Sequence, residues 1–383
     1  MASISDRWHV GGENGERCRT ERYGSGKRWQ VRYRDPDGAS RNRSFERKVD
    51  AEHFLTAVSA DLLRGEFVDP RAGQMHYSDY AEGWLRRRLV DVSSREAMER
   101  RDRCHIRPTW GSVRLSSIKP SAIQDWIGEL SENLAASHVR LVFTMFSAVL
   151  ASAVMDGLIA RNPAKAPGIR LPRVPSRRVT PWSADRVRAV IDAHPDQLRL
   201  LAALGASVGL RQGEAFGLRI HDVRLDRGEI DVRQQIKLVG GKPTPAAPKY
   251  GRTRTVPAPD WLLQEIGDHV DRWSPGAGVR SDSPGVGGLL FVSREGKPLN
   301  RNYFNGSVWR PALAKAGVPA GRENGMHALR HFCASTWLEH GVSIKAVSEY
   351  LGHADPGFTL RVYTHVMPSA DDKARAALAS LAP

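Results

Sequence analysis

Cysteine is scarce in this 383-residue chain: Cys18, Cys104 and Cys333 are the only three, and each stands alone. That excludes a disulfide framework and a Cys-x-x-Cys zinc site, and fits a reducing compartment. Long apolar runs are missing as well. The most apolar stretch, Leu141 to Met155, is interrupted by Thr144, Ser147 and Ser152 and falls short of the roughly 18–20 residues a bilayer span needs, so it reads as a buried helix. Asp6, Arg7, Glu13 and Glu16 occupy the place where an export signal would carry its apolar core. These absences imply a cytoplasmic protein without a membrane partner. Acidic residues are also in deficit, 42 against 57 basic ones, for a net charge of +15. Such an excess most often marks a nucleic-acid partner. Of the basic residues 46 are Arg, the side chain better suited to bidentate phosphate and guanine contact, although a compositional bias of the genome would give the same count.

The chain is long enough for two or three modules. Arg28-Trp-Gln-Val-Arg-Tyr33 alternates bulky and basic residues with the period of a half-buried strand. An Asp35-Pro-Asp-Gly38 turn and a second strand, Ser40 to Phe45, follow. From Lys48 the positions Val49, Phe54, Leu55, Val58, Leu62 and Leu63 have helical spacing, closed by Gly65 and Pro70. This predicts a small sheet-plus-helix module over residues 1–70, with Arg28, Arg32, Arg34, Arg41, Arg43 and Arg47 available at its surface, the first five as candidate DNA contacts. Residues 75–165 read as an all-α domain, with Trp84, Leu85 and Leu89, then Ile123, Trp126, Ile127 and Leu130, then Val139 to Val154 as apolar faces. Pro163, Pro167, Pro172 and Pro175 mark the stretch Asn162 to Arg178 as extended, with the linker proper at residues 166–180. Residues 181–383 are again mostly helical, opened by Ser183 as an N-cap with Asp185 in the first turn. Stretches 229–236, 244–249 and 252–256 look like strands of one small sheet. The fold class expected is α+β and multidomain.

Three clusters carry chemistry. Gly209-Leu-Arg-Gln-Gly-Glu214 sets Arg211 at a helix start, where free N–H groups already favour an anion; a local pair with Glu214 is the plainer alternative. His327-Ala-Leu-Arg330 projects two side chains from one helix face. With His331 the spacing His-x-x-x-His could ligate zinc, but no Glu follows His327 and Arg330 would put a fixed cation beside the metal. His331 therefore reads as a packed or hydrogen-bonded helix residue. Leu351-Gly-His353 and Tyr363 flank an Asp355-Pro-Gly357 turn, and a tyrosine hydroxyl becomes a useful nucleophile only beside cations and a proton acceptor. Gly24-Ser-Gly-Lys27 lacks the frame of a phosphate-binding loop.

Taken in order, Gly-Leu-Arg-x-Gly-Glu, Pro248-Lys-Tyr-Gly251 with Arg254-Thr-Val-Pro257, His-x-Leu-Arg-His, Leu-Gly-His and a Tyr ten residues on, the boxes resemble the signature of the tyrosine recombinases, the phage integrase family. The departures are small: Ala328 stands where many relatives carry Asp or Gly, and Arg252 where a small residue is common. The resemblance implies a site-specific recombinase that cuts and rejoins DNA through a 3′-phosphotyrosyl link, without cofactor or metal. It implies that Arg211 and Arg330 clamp the scissile phosphate, that Lys249 protonates the leaving 5′-oxygen, with Lys242 on the same hairpin as the other choice, and that His327 and His353 bind the phosphate, His327 also as acid or base. Tyr363 would be the nucleophile. It further implies an arm-type DNA-binding module, a core-binding domain, a catalytic domain whose tail helix, Ser369 to Leu381, docks on a neighbour, a homotetramer on paired attachment sites, and host or directionality factors. A type IB topoisomerase shares the chemistry, and a degenerate, binding-only integrase shares the charge; the basic N-terminal module and the intact boxes favour recombination.

Overall fold

The structure is a computed structural model that describes residues 2–11, 17–35, 38–64, 72–175, 180–273, 287–353 and 355–363. The chain divides into two compact units, Met1–Pro175 and Ser176–Pro383. Helices with small antiparallel sheets make it an α+β protein.

The first unit opens with strand β1 (Ser3–Asp6), a hairpin of β2 (His9–Gly11) and β3 (Arg17–Arg19), then β4 (Trp29–Arg34), β5 (Ser40–Phe45) and helix α1 (Lys48–Arg64). The sheet has the order β1-β4-β5, all antiparallel. Its first strand has almost no sequence signal, because Ser3-Ile-Ser-Asp6 carries a single apolar residue. The turn at Gly38 has the positive φ, 83°, that glycine supplies; residues 36–37 of that turn, and Gly65 and Pro70, lie outside the described residues.

Directly opposed residues of an antiparallel pair share a face. Val31 and Tyr33 are buried with Ala51 and Val58 of α1, so their partners Arg43 and Arg41 belong to the helix-side face. Arg32 and Arg34, opposite Asn42 and Ser40, belong to the open face, together with Gln30, Ser3 and Ser5. The expected row of surface arginines is thus split. Arg28 is bound by Asp6 through Nε and Nη2, the shortest contact being 2.8 Å. Arg41 pairs with Asp35 at 2.9 Å, Arg47 with Asp50 at 3.1 Å, and Arg43 lies over the rings of Phe45 and Phe54. In α1, Val49 and Leu63 are exposed while Phe54, Leu55 and Leu62 close on the sheet.

The helical part comprises α2 (Tyr77–Arg87), α3 (Val92–Arg101), a π turn (Asp102–Ile106) leading into α4 (Arg107–Trp110), α5 (Pro120–Asn133) and α6 (Ala136–Met155). Trp84, Leu85, Ile123, Trp126 and Ile127 are buried as their spacing predicts, but Leu89 is fully exposed, because α2 ends at Arg87 and Arg88 is already extended. α6 begins five residues earlier than the apolar run suggests. At 20 residues it is long and apolar enough, by length and composition alone, to cross a membrane, which corrects the expectation that it falls short. Its apolar residues are used in packing: Val139, Val142, Phe146, Val149 and Leu150 are buried with Tyr77, Trp110 and Trp126. The proline-rich stretch has no regular structure over residues 166–175, yet its first half is anchored: Arg170 exchanges two hydrogen bonds with Gln124, and Arg140 donates to the Pro172 carbonyl.

In the second unit α7 (Ala184–Asp192) is capped by Ser183, whose Oγ accepts from the Arg186 N–H. There follow α8 (Asp196–Ser207), α9 (Gln212–Phe216), strands β6 (Val223–Arg224), β7 (Glu229–Val232), β8 (Gln235–Val239), β9 (Lys242–Ala246) and β10 (Arg254–Pro257), then α10 (Asp260–Trp273), α11 (Arg301–Phe304), α12 (Arg310–Lys315), α13 (His327–Glu339), α14 (Ile344–Leu351) and α15 (Pro356–Tyr363). The strands form two sheets rather than the one expected: β10-β7-β6, and a separate β8-β9 hairpin turned by Gly240 and Gly241, both at positive φ. A break at Arg233 and Gln234 divides stretch 229–236 between the two sheets.

A candidate phosphate-handling site

Arg211, the N-cap of the five-residue helix α9, follows a left-handed glycine, Gly209, at φ 63°. A Cβ at Gly209 would stand 2.7 Å from Leu351 Cδ2, so both the conformation and the close approach require glycine there. The Glu214 carboxylate, wholly buried, reaches back to the Arg211 backbone N–H at 2.9 Å and takes the guanidinium Nη1 at 2.8 Å. The local pair that stands as the alternative to a phosphate role is therefore present. Arg211 Nη2 donates to the Gly352 carbonyl at 3.1 Å. These bonds spend two of the five guanidinium N–H groups and leave three for a ligand.

The same carboxylate takes a second arginine. Arg254 of β10 binds Glu214 bidentately, at 3.0 and 2.7 Å, and its Nε donates to the Tyr350 carbonyl at 2.6 Å. Burial alone would raise the Glu214 pKa; the Arg254 hydrogen bonds and the charges of Arg254, Arg211 and Arg330 outweigh it and hold the carboxyl at about 2. Gly352 ends α14 in the left-handed conformation, with Arg254 atoms 3.1 Å from where a Cβ would be. The glycine of the Leu-Gly-His box thus gives its carbonyl to Arg211 and its open side to Arg254.

α13 lies on α8, and its residues Leu329, Arg330, Cys333, Ala334 and Leu338 are buried. Arg330 is the largest fully buried side chain among the described residues, 1% exposed, and donates to the carbonyls of Gly209, at 2.7 Å, and Leu351. Burial, then the neighbouring Arg211, pulls its pKa down to about 9, which leaves it cationic at neutral pH. His327, one turn earlier, is solvent-accessible, and its ring meets that of His331 edge-on at 4.7 Å. Burial of the inner part of the ring, then coupling to the adjoining His331 ring and the Arg330 charge, lower the His327 pKa to about 4, and burial with Arg330 and Arg211 lowers that of His353 to about 3. Both rings are neutral at pH 7. His353 is oriented by Thr359, whose hydroxyl lies 2.7 Å from Nδ1.

Tyr363 is the last residue of α15 and is buried against Ala334, Leu338, Val347 and Leu351. Its hydroxyl lies 2.6 Å from His331 Nδ1. Burial raises its pKa, against the pull of the Arg330 charge, so the phenol keeps its proton.

The structure ties Arg211, Arg330 and the His353 loop together through Gly209, Leu351 and Gly352, and joins Tyr363 to His327 by way of His331. Lys249 sits on an exposed 3-10 turn, Lys249–Gly251, between strands of different sheets and five residues before Arg254; Lys242 opens β9 at the hairpin turn. Glu214 and Arg254 lie within the sequence motifs, but the motifs alone assign them no role. Thr359 has no sequence signal at all. The tail, Ser369 to Leu381, lies outside the described residues.

Helices with small antiparallel sheets thus carry a guanidinium-rich centre, two neutral imidazoles and a buried phenol in one unit. Residues 179–369 match the phage integrase family and residues 20–64 the phage integrase N-terminal domain. The chain is 28% identical over 373 residues to the prophage phiRv2 integrase of Mycobacterium tuberculosis, covering 95% of each chain. Among solved structures it resembles the Tn1549 transposon integrase in complex with a circular intermediate DNA, at 19% identity and a TM-score of 0.69 over 80% of this chain and all of that one. A lambda integrase tetramer bound to a Holliday junction matches at 18% identity and a TM-score of 0.59, over 88% of this chain and 92% of that one. The chain belongs to the phage integrase family. It is a tyrosine-type site-specific recombinase that integrates mobile elements.

Proposed function

We propose that the chain breaks and rejoins DNA through a 3′-phosphotyrosyl intermediate on Tyr363. The observation that carries this reading is the convergence of Arg211 and Arg330 on the loops that bear His353, with a protonated, buried tyrosine on the next helix. Phosphoryl transfer mainly needs positioned reactants and cations facing the charge that develops on the equatorial oxygens. In this assignment Arg211 and Arg330 hold the non-bridging oxygens, His327 and His353 hydrogen-bond the phosphate, and Lys249 gives its proton to the leaving 5′-oxygen. The phosphotyrosyl link conserves the energy of the phosphodiester, so rejoining needs neither nucleotide nor metal. Arg330 and Tyr363 are each 1% exposed, so contact with a phosphate requires that both be uncovered.

The domain assignment belongs to the same proposal: residues 1–70 an arm-type DNA-binding module, 75–165 a core-binding domain, 166–180 a linker and 181–383 the catalytic domain. Its partners would be double-stranded attachment sites in a bacterial cytoplasm and nucleoid, bound as a homotetramer, with a host or directionality factor. The tetramer is argued from the lambda integrase assembly and the DNA from the net positive charge. Supercoiled plasmids with paired or single attachment sites test the reading. Recombinants from the paired substrate are expected; relaxation alone would make the protein topoisomerase-like, and mere retardation a binding-only relative.

Within the N-terminal module the open sheet face narrows the DNA-contact set. Arg32 and Arg34 stand there with Gln30 and Asn42, whereas Arg28 and Arg41 are engaged by carboxylates and Arg43 leans on aromatic rings. Arg32→Ala with Arg34→Ala is expected to erase any footprint on a second, arm-type sequence while sparing the core-site footprint. Loss of both footprints, or of neither, would remove this role from the open face.

A further inference from the structure

We propose that His331 is the proton acceptor for the nucleophile: its Nδ1 takes the phenolic proton as the Tyr363 oxygen attacks phosphorus. The inference rests on the tyrosine-recombinase reading above and adds a catalytic residue to it. Three observations carry it. Tyr363 Oη and His331 Nδ1 are 2.6 Å apart, a distance at which a proton can pass directly. Arg330, the guanidinium assigned to the phosphate, precedes His331 on α13, and its charge acts on both His331 and Tyr363. His327 meets His331 edge-on, which orders the three groups as His327, His331, Tyr363 and frees His327 to face the phosphate.

Electrostatics sets the starting protonation states of the pair. Burial, with the Arg330 charge, lowers the His331 pKa to about 4, so the ring is neutral at pH 7 and one nitrogen can accept. The phenol, its pKa raised by burial, retains a proton to donate. An entering phosphodiester brings a negative charge beside this pair, which favours the imidazolium formed as the proton arrives.

The step balances. The Tyr363 O–H bond breaks and its proton goes to His331 Nδ1; the oxygen forms the bond to phosphorus; the bond from phosphorus to the 5′-oxygen breaks, and that oxygen is protonated from Lys249. On rejoining, the 5′-hydroxyl attacks phosphorus and its proton returns to Lys249, the phosphotyrosyl bond breaks, and His331 returns its proton to the phenolate.

The test is single-turnover cleavage by the full chain of a nicked duplex carrying the repeated core sequence that flanks the element. His331→Gln keeps a hydrogen-bonding group but takes no proton, and is expected to slow cleavage at least ~100-fold, within the range for a lost general base, with unchanged DNA binding. Placing a ring-fluorinated tyrosine of lower pKa at position 363 is expected to recover at least tenfold of that loss, which repair of a merely structural defect would not do. Cleavage by His331→Gln near the unmodified rate, or no rescue by the fluorinated residue, overturns the proposal. If His331→Gln fails to fold, nitrogen-15 histidine shifts of the unmodified protein decide: Nδ1 unprotonated with the proton on Nε2 is expected, and the opposite tautomer overturns it. Tyr363→Phe run in parallel separates the levels. An adduct from Tyr363→Phe would sink the tyrosine reading itself, whereas an inert Tyr363→Phe beside a fully active His331→Gln would refute only the role of His331.

Discussion

Arg330→Lys is expected to cleave its substrate at least ~100-fold more slowly than the unmodified chain, on the scale of a lost transition-state donor. The guanidinium holds the Gly209 and Leu351 carbonyls with two N–H groups and keeps three more, in a planar fork, for the phosphate. A lysine ammonium is a point charge on a thinner stem and cannot span both carbonyls and a ligand. One buried carbonyl left without a donor adds a stability cost of about 1–3 kcal/mol. Single-turnover rates and thermal unfolding of the variant check the two parts separately. A near-normal rate with lowered stability would make Arg330 structural only. Arg211→Lys is expected to lose cleavage on the same scale, because its fork bonds both Glu214 and Gly352.

Glu214→Gln is expected to cost about 3–5 kcal/mol at neutral pH, since it removes the carboxylate on which two arginines are fixed and leaves their charges uncompensated. The pH dependence has a definite sign. The ordinary glutamate value is 4.5 and the folded value about 2, so the stabilisation is complete above 4.5 and is lost as the pH falls from there through about 2. A gap of about 2.5 in pKa corresponds to on the order of 3 kcal/mol. Urea unfolding of the chain and of Glu214→Gln at pH 7 and at successively lower pH should therefore show the two converging in acid. Curves that stay parallel throughout would place the stabilising charge elsewhere.

Short-range chemistry is legible in the sequence itself. The i, i+3 spacing of His327 and Arg330 puts both on one helix, and the glycines of the Gly-Leu-Arg and Leu-Gly-His boxes are sites of positive φ where a Cβ would clash with Leu351 or crowd Arg254. What escapes a sequence reading depends on partners brought together by tertiary packing. Arg254 meets Glu214 across 40 positions, and Tyr363 meets His331 across 32. No local period encodes either contact, so by sequence His331 is an ordinary packed residue and Arg254 part of a motif without a task. The N-terminal arginines show the converse error. Alternation places them on a strand, but the strand's partners and nearby carboxylates decide which are available, and the pairing of β4 with β5 leaves Arg32 and Arg34 on the open face. Spacing alone assigns Leu89 to a helical face, yet its helix stops two residues earlier.

The central claim is that Tyr363 becomes covalently joined to a DNA 3′-phosphate. The most direct measurement traps the adduct on a nicked substrate, digests the DNA and the protein, and locates the residual nucleotide by mass spectrometry. The account predicts a nucleotide linked through its 3′-phosphate to the peptide containing Tyr363, and no adduct from Tyr363→Phe. A nucleotide on any other residue, or cleaved DNA with no protein attached, would contradict it.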